Sequence, residues 1–132
     1  MTILKPKTKL PIHFMLTALA LICAFHVLII IKVVPYDVTW GGRLQSDREM
    51  YIFEAVSLSV NGLLIWVLLM KGNYVRHVLP TKVLHAILWF FFGLFLLNTL
   101  GNLVAETLFE KFFALVTLLF SFLLWKIIRA TN

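Results

Sequence analysis

Four long apolar runs alternate with short polar stretches along the chain. The runs cover residues 12–34, 47–70, 81–104 and 108–128, so each has 21 to 24 residues. About 20 residues of α-helix, at 1.5 Å per residue, are needed to cross the hydrocarbon of a bilayer. The pattern therefore predicts an all-α integral membrane protein, an antiparallel bundle of four transmembrane helices that forms a single membrane domain over residues 1–132.

Prolines and glycines indicate where several of these helices end. Pro6 and Pro11 discourage helix in the tail that precedes the first run. Pro35 is expected to end the first helix, and residues 35–46 then form the longest loop. Gly72 is a candidate for the residue that ends the second helix, since glycine readily adopts the left-handed conformation often found there.

Two capping boxes mark the starts of the second and fourth helices. Ser46 and Thr107 are each followed three residues later by a glutamate, Glu49 and Glu110 respectively. In this motif the hydroxyl accepts a hydrogen bond from a backbone N–H of the first turn, which would otherwise lack a partner. The third and fourth helices are then joined by only a few residues and are expected to be antiparallel neighbours.

The composition agrees with membrane insertion and removes other classes of protein. Hydrophobic residues make up 61% and charged residues 14% of the chain, against about 45–50% and about 25% in soluble domains. The net charge of +6 is spread in small groups between the apolar runs, so no nucleic-acid partner is expected. Cys23 is the only cysteine, which excludes an internal disulfide and C-x-x-C redox chemistry.

The distribution of charge predicts the orientation of the bundle. Eight of the 12 lysines and arginines fall on the side of the membrane that holds both termini. Because cytoplasmic segments carry the excess of positive charge, both termini are expected to be cytoplasmic, in a multi-pass protein of the plasma (inner) membrane of a bacterium. All 6 acidic residues fall on the outer side, and this asymmetry, which topology does not require, points to a site there.

Polar residues within the apolar runs form stripes at helical spacing. Glu54 and Asn61 share one face of the second helix, and Asn98 and Asn102 lie one turn apart on the third. The first run contributes only His26, outward of its middle. If the helices turn these stripes towards one another, they enclose a polar cleft that opens outward under the longest loop. We predict that the ligand-binding residues of this cleft are His26, Trp40, Arg43, Glu54, Asn61, Asn98, Asn102, Glu106 and Glu110.

Most of these polar groups also have a structural interpretation. Asparagine, serine and threonine side chains often join transmembrane helices through hydrogen bonds of roughly 0.6 kcal/mol each. That role is expected for Asn61 and Thr117, and Glu110 already belongs to a capping box. Glu54 differs, because it lies within the first two turns of the second span and is not needed as a cap. An ionisable side chain at that depth indicates a functional site.

Three classes of function fit the pattern. The first is a pocket for a small amphipathic, lipid-like or cationic ligand that enters from the outer leaflet of the lipid bilayer, and an acid–base enzyme of this type would use Glu54 and His26. The second is a proton- or cation-coupled transporter or channel that acts as a homo-oligomer. The third is a structural or assembly subunit. No cofactor or metal ion is expected, since the sequence has no zinc-ligand spacing, Walker loop or dinucleotide fingerprint.

Overall fold

The computed structural model describes residues 6–38 and 44–130 of the chain. Within these residues it has no strand and four α-helices, α1 (Pro6–Ile30), α2 (Asp47–Lys71), α3 (Thr81–Leu103) and α4 (Leu108–Arg129), with a short 3-10 helix at Tyr36–Val38. All four α-helices are long and apolar enough to cross a membrane. The predicted all-helical class and the four candidate spans are therefore confirmed.

The first helix departs from its expected bounds at both ends. It begins at Pro6 and runs through Pro11, so the expectation that these prolines keep the tail out of helix is wrong. Pro6 occupies the first helical position, where no helical bond requires its missing N–H, and Pro11 removes a single bond in the second turn. The helix ends at Ile30, ahead of Pro35, because the chain turns at Lys32, which has a φ of 65°.

The hydroxyl caps of both predicted capping boxes are present and fix the starts of two helices. Ser46 Oγ accepts from the backbone N–H of Glu49 at 3.2 Å, and Thr107 Oγ1 accepts from the backbone N–H of Glu110 at 3.2 Å. The second and fourth helices begin directly after these caps, as predicted. Each hydroxyl thus satisfies one donor that the helix itself leaves without a partner.

The end of the second helix differs from its prediction by one position. Gly72 has an ordinary right-handed conformation with a φ of −81°, and Asn73 is the left-handed residue with a φ of 63°. The N–H of Tyr74 then bonds to the carbonyl of Leu69 at 2.9 Å, which completes the hydrogen-bond pattern typical of such an ending. Asparagine is the residue besides glycine that most often adopts this conformation, so the types of residue at Gly72 and Asn73 both suit the left-handed position.

An apolar core joins all four helices away from the capping boxes. It includes Met15 and Leu19 of α1, Leu68 of α2, Leu88 of α3 and Leu124 of α4, all of which are fully buried. The outward faces carry large apolar side chains, of which Leu21, Leu97, Leu108 and Leu115 are 66% to 84% exposed. A surface of this kind is stable against lipid rather than water, which agrees with the membrane class.

The helices pack against one another unequally. The α3–α4 pair, joined by residues 104–107, makes the most extensive contact, and the rings of Phe95 and Phe120 meet edge-on with centroids 5.3 Å apart. A hydroxyl pair also joins these helices, with Thr99 Oγ1 and Thr117 Oγ1 separated by 2.8 Å. Contacts between α2 and α3 are the sparsest among the four neighbouring pairs, and both helices line the cavity described next.

Candidate functional site

A cavity of about 530 Å³, here called the bundle cavity, lies between the helices at the end that carries both capping boxes. Its walls are mainly aromatic and aliphatic, and residues of all four helices contribute to them. The polar side chains that line it are His26 from α1, Ser57 and Asn61 from α2, Asn98 and Asn102 from α3, and Glu110 and Thr117 from α4. Part of each polar stripe predicted from the sequence therefore faces one common space.

His26 and Glu54 form a side-chain pair beside this cavity. Nδ1 of His26 is hydrogen-bonded to Oε2 of Glu54. The Glu54 side chain is fully buried, whereas that of His26 is 15% exposed and lines the cavity. Glu54 is not itself among the described lining residues, so its contact with the cavity wall is the hydrogen bond to the histidine. Because Nδ1 is engaged by the carboxylate, Nε2 is the nitrogen through which the ring can meet a ligand.

A small apolar cluster closes the bundle next to this pair. Ile29, Leu44 and Met50 are buried together, and Phe25 packs against them. Met50 lies one turn before Glu54 on the same helical face, so the cluster shields the carboxylate from the membrane surface. Phe25 also meets Phe109 of α4, with ring centroids 5.5 Å apart, which brings the first and fourth helices together at the cavity.

An exposed ion pair joins the end of α1 to the start of α2. Lys32 Nζ donates to Asp47 Oδ2 at 2.6 Å, and both side chains are about half exposed. The hydrogen bond from Lys32 to Asp47, followed by the Coulomb attraction of that carboxylate, raises the pKa of Lys32 above its usual value. The pair links the turn that follows α1 to the first residue of α2.

Glu110 combines two roles that the sequence analysis treated as alternatives. Its backbone N–H donates to the Thr107 cap, while its side chain lines the bundle cavity and the residue is only 6% exposed. Thr117, on the same face of α4, also lines the cavity, yet its hydroxyl is bonded to Thr99 and to the carbonyl of Phe113. Thr117 is therefore chiefly a packing residue, and Glu110 is the acidic group that the cavity presents.

Asn98 and Asn102 both line the cavity but differ in exposure. Asn98 is exposed in the chain, whereas Asn102 is partly buried. Asn61 lines the cavity from α2, and its Nδ2 donates to the carbonyl of Ser57 at 2.8 Å. The amides are thus spread from the mouth of the cavity to the middle of α2, rather than gathered around Glu54.

Three residues of the predicted set lie outside the cavity or outside the described part of the chain. Glu106 is exposed in the turn between α3 and α4 and is not among the described lining residues of the cavity. Trp40 and Arg43 fall outside the described residues. The geometry thus brings together His26, Asn61, Asn98, Asn102 and Glu110, with Glu54 behind the histidine.

The apolar walls are the part of the site that the sequence analysis missed. Phe109, Phe113 and Phe120 of α4 line the cavity together with Phe95 of α3. The signal was available, because Phe109, Phe113 and Phe120 recur at the three- and four-residue spacing of the face that carries Glu110. In a chain with 12 phenylalanines, however, a face that meets a cavity cannot be separated by pattern from one that meets lipid.

The electrostatic character of the cavity is acidic and amide-rich. No lysine or arginine occurs among its described lining residues, while Glu110 lines it and Glu54 is bonded to the lining histidine. Among residues 6–38 and 44–130, no group of three or more histidine, cysteine or acidic side chains is placed to hold a metal ion. The described groups can therefore accept hydrogen bonds from a neutral or cationic guest.

Basic residues gather at the opposite end of the bundle. Lys71 Nζ lies 2.9 Å from His85 Nε2, and Lys9 Nζ lies 4.9 Å from the ring centroid of Tyr74. Tyr74 is also hydrogen-bonded to His13. The apolar core lies between this basic end and the bundle cavity, so the two polar regions of the described chain are separate.

Comparisons of the sequence with models of protein families, with curated proteins and with solved structures give no significant match.

Proposed function

We propose that the bundle cavity binds a small amphipathic ligand whose head donates hydrogen bonds or carries a positive charge. The observation that carries the proposal is a cavity of about 530 Å³ that all four helices line with apolar walls and a few polar groups. Ligand sites typically have volumes of about 300–1,000 Å³ and this same division of surface. We assign no catalytic role to this cavity.

The polar groups favour a particular kind of head. Glu110 and the His26–Glu54 pair offer oxygen and nitrogen acceptors, and no lysine or arginine is among the described lining residues. An ammonium head would form charge-assisted hydrogen bonds with such groups, which are stronger than neutral ones. A phosphate or carboxylate head would instead lie against like charge. An amine is therefore the head that fits best.

The orientation of the bundle supports uptake of an amphiphile. In our proposal the four helices are antiparallel, both termini are cytoplasmic and the cavity lies in the outer half of the bilayer of a bacterial plasma membrane. Lys9 and Lys71 lie at the end opposite the cavity, in agreement with the excess of positive charge on cytoplasmic segments. The phenylalanine walls would hold the alkyl tail in the span.

Transport and assembly are less well supported as functions. The fully buried side chains of Leu64, Leu68, Leu88 and Leu124 fill the bundle between the cavity and its basic end, so an ion path through one chain would require them to separate. The polar side chains that a partner helix would need to contact already face the bundle cavity. Ligand binding requires no change in either feature, because the leucines can stay packed and the polar side chains already face the cavity.

The test uses three probes that have the same tetradecyl tail and different head groups. Purified protein in nanodiscs is loaded with tetradecylamine, tetradecanol or tetradecyl phosphate, and bound molecules are counted by native mass spectrometry. We expect one tetradecylamine per chain, weaker binding of the alcohol and no specific binding of the phosphate. Equal binding of all three probes, or binding of none, would overturn the proposal.

Two glutamates provide a matched pair of variants. Glu110 and Glu49 each follow an N-cap hydroxyl by three residues and donate their backbone N–H to it, but of the two only Glu110 lines the cavity. Glutamine suits the same position of a capping box, so both helices should remain capped in Glu110→Gln and Glu49→Gln. We expect Glu110→Gln to weaken tetradecylamine binding by about tenfold or more, the loss typical of one charge-assisted hydrogen bond, and Glu49→Gln to leave it unchanged.

A further inference from the structure

We infer that the ligand enters the bundle cavity sideways from the bilayer, through a lateral portal between α2 and α3. The inference rests on the proposed function and adds the route by which an amphiphile dissolved in the membrane leaflet would reach the cavity. Asn98, Gly101 and Val104 form the rim of this portal, because each of them lines the cavity and is also exposed on the surface of the chain.

Exposure separates the rim from the interior of the cavity. Val104 is 76% exposed, and Asn98 and Gly101 are exposed as well. On the inner side, Thr117 is 7% and Phe120 is 2% exposed although both line the same space. The cavity is therefore closed along the middle of α4 and exposed along one flank of α3, while at its outer end Phe109 of α4 also lines it and is 39% exposed.

The packing of the helices accounts for an opening at this flank. α3 is held tightly against α4, whereas its contacts with α2 are the sparsest of the neighbouring pairs. Ser57 and Asn61 of α2 nevertheless line the cavity, so the cavity extends across the gap between α2 and α3. Lipid tails, rather than water, would meet such a gap in a bilayer.

The depth of the rim favours entry from the lipid phase. Asn98 lies five residues before the end of α3 at Leu103, which places it about 7 to 8 Å inside the helix at 1.5 Å per residue. An amide at this depth can meet the head of an amphiphile that slides in from the leaflet while its tail stays in hydrocarbon. A water-soluble cation would reach the same cavity only from the membrane surface.

A substitution at Gly101 tests the portal directly. A Cβ added at Gly101 would meet no atom within 4 Å, so a larger side chain there fits without a clash and would project at the rim. Gly93, on the same helix, is equally free of neighbours but is not among the described lining residues of the cavity. Both substitutions replace a helical glycine, so they share any gain in helix propensity.

The experiment measures the rate at which the cavity fills. Vesicles that contain deuterated tetradecylamine are mixed with protein in nanodiscs, and loading is followed over time by native mass spectrometry. We expect Gly101→Leu to slow loading at least tenfold and Gly93→Leu to load at the wild-type rate. Val104→Trp, which obstructs the same rim from the turn, provides a second variant in case Gly101→Leu does not fold.

The outcomes separate the portal from the binding function. Loading of folded Gly101→Leu or Val104→Trp at the wild-type rate overturns the lateral portal and leaves ligand binding intact. Equal slowing in Gly93→Leu also overturns it, because the effect would then come from the helix rather than from the rim. If the wild-type protein does not load at any time, the proposed function itself fails.

Discussion

The imidazole of His26 on α1 is hydrogen-bonded through Nδ1 to the carboxylate of Glu54 on α2, and the glutamate side chain is completely buried. An ionisable side chain inside a membrane span is stable only with a partner, because an uncompensated buried charge costs several kcal/mol. The pair therefore ties the first two helices together at the wall of the bundle cavity.

The first prediction concerns removal of one member of this pair. His26→Leu should lower the free energy of unfolding by about 1.5–3 kcal/mol, the range typical of losing one hydrogen bond to a charged group. Glu54→Gln should cost less, because the amide can still bond to the ring. Unfolding in mixtures of dodecyl sulfate and a mild detergent, followed by circular dichroism, measures both changes.

A double variant shows whether the two residues act together. In His26→Leu/Glu54→Leu the buried charge disappears along with its partner, so the loss should be smaller than the sum of the two leucine substitutions, with a coupling energy of about 1–3 kcal/mol. Additive losses would mean that the pair does not contribute to stability. Thr17→Leu, at an exposed position of α1, serves as the control and should leave the free energy of unfolding unchanged.

The second prediction concerns the threonine pair between α3 and α4. Thr99 Oγ1 and Thr117 Oγ1 are 2.8 Å apart, and each oxygen also lies within hydrogen-bonding distance of a carbonyl of its own helix, to which it can donate instead. Because the helix carbonyls remain as partners, Thr99→Val should cost only about 0.5–1 kcal/mol in the same unfolding assay, in line with side-chain hydrogen bonds in membrane proteins. Thr17→Val, at an exposed position of α1, should have no measurable effect. A loss above about 2 kcal/mol would contradict this account.

The third prediction concerns the cap of α4. Thr107→Ala should lower the free energy of unfolding by about 1 kcal/mol, because the hydroxyl that accepts from the Glu110 N–H is lost, and Thr107→Ser should retain most of the stability. The same change should also weaken tetradecylamine binding if the cap positions the Glu110 side chain in the cavity. Ser46→Ala, which removes the other cap, should lower stability without this loss of binding at Glu110.

The fourth prediction concerns pH and the exposed Lys32–Asp47 pair. The hydrogen bond from Lys32 to Asp47 raises the pKa of Lys32 in the folded chain, so the folded state holds this proton more firmly than the unfolded state. The stabilisation is therefore complete below about pH 10.4, the ordinary lysine value, and is lost as the pH rises through the higher folded pKa. The thermal unfolding temperatures of wild type and Lys32→Met should differ slightly below about pH 10.4 and become equal above the pKa of Lys32 in the folded chain.

Salt and a second lysine complete this test. Both side chains of the pair are about half exposed, so added salt should narrow the difference between wild type and Lys32→Met. Lys82→Met, which removes an exposed lysine at the start of α3, should produce no convergence at high pH. A difference that persists unchanged above the folded pKa would show that Lys32 acts through packing or backbone geometry instead.

Local chemistry explains which features of the fold were predictable. The capping residues Ser46 and Thr107 were identified correctly, because a hydroxyl three residues before a glutamate acts within a single helical turn. Pro11 was misjudged, because a helix can lose one internal hydrogen bond and continue when its neighbours pack against it. The left-handed residue after α2 was placed one position early, at Gly72 instead of Asn73, since both residue types tolerate that conformation.

The sequence by itself determined the membrane class, the four spans and the faces that carry polar groups, because hydrophobic runs and helical spacing depend only on the order of residues. The pairing of His26 with Glu54, the burial of Glu110 and the exposure of Asn98 were decided by the tertiary structure. Helical periodicity states which residues share a face but not what that face meets. The close packing of α3 on α4 and the looser approach of α2 to α3 turn those faces into one cavity.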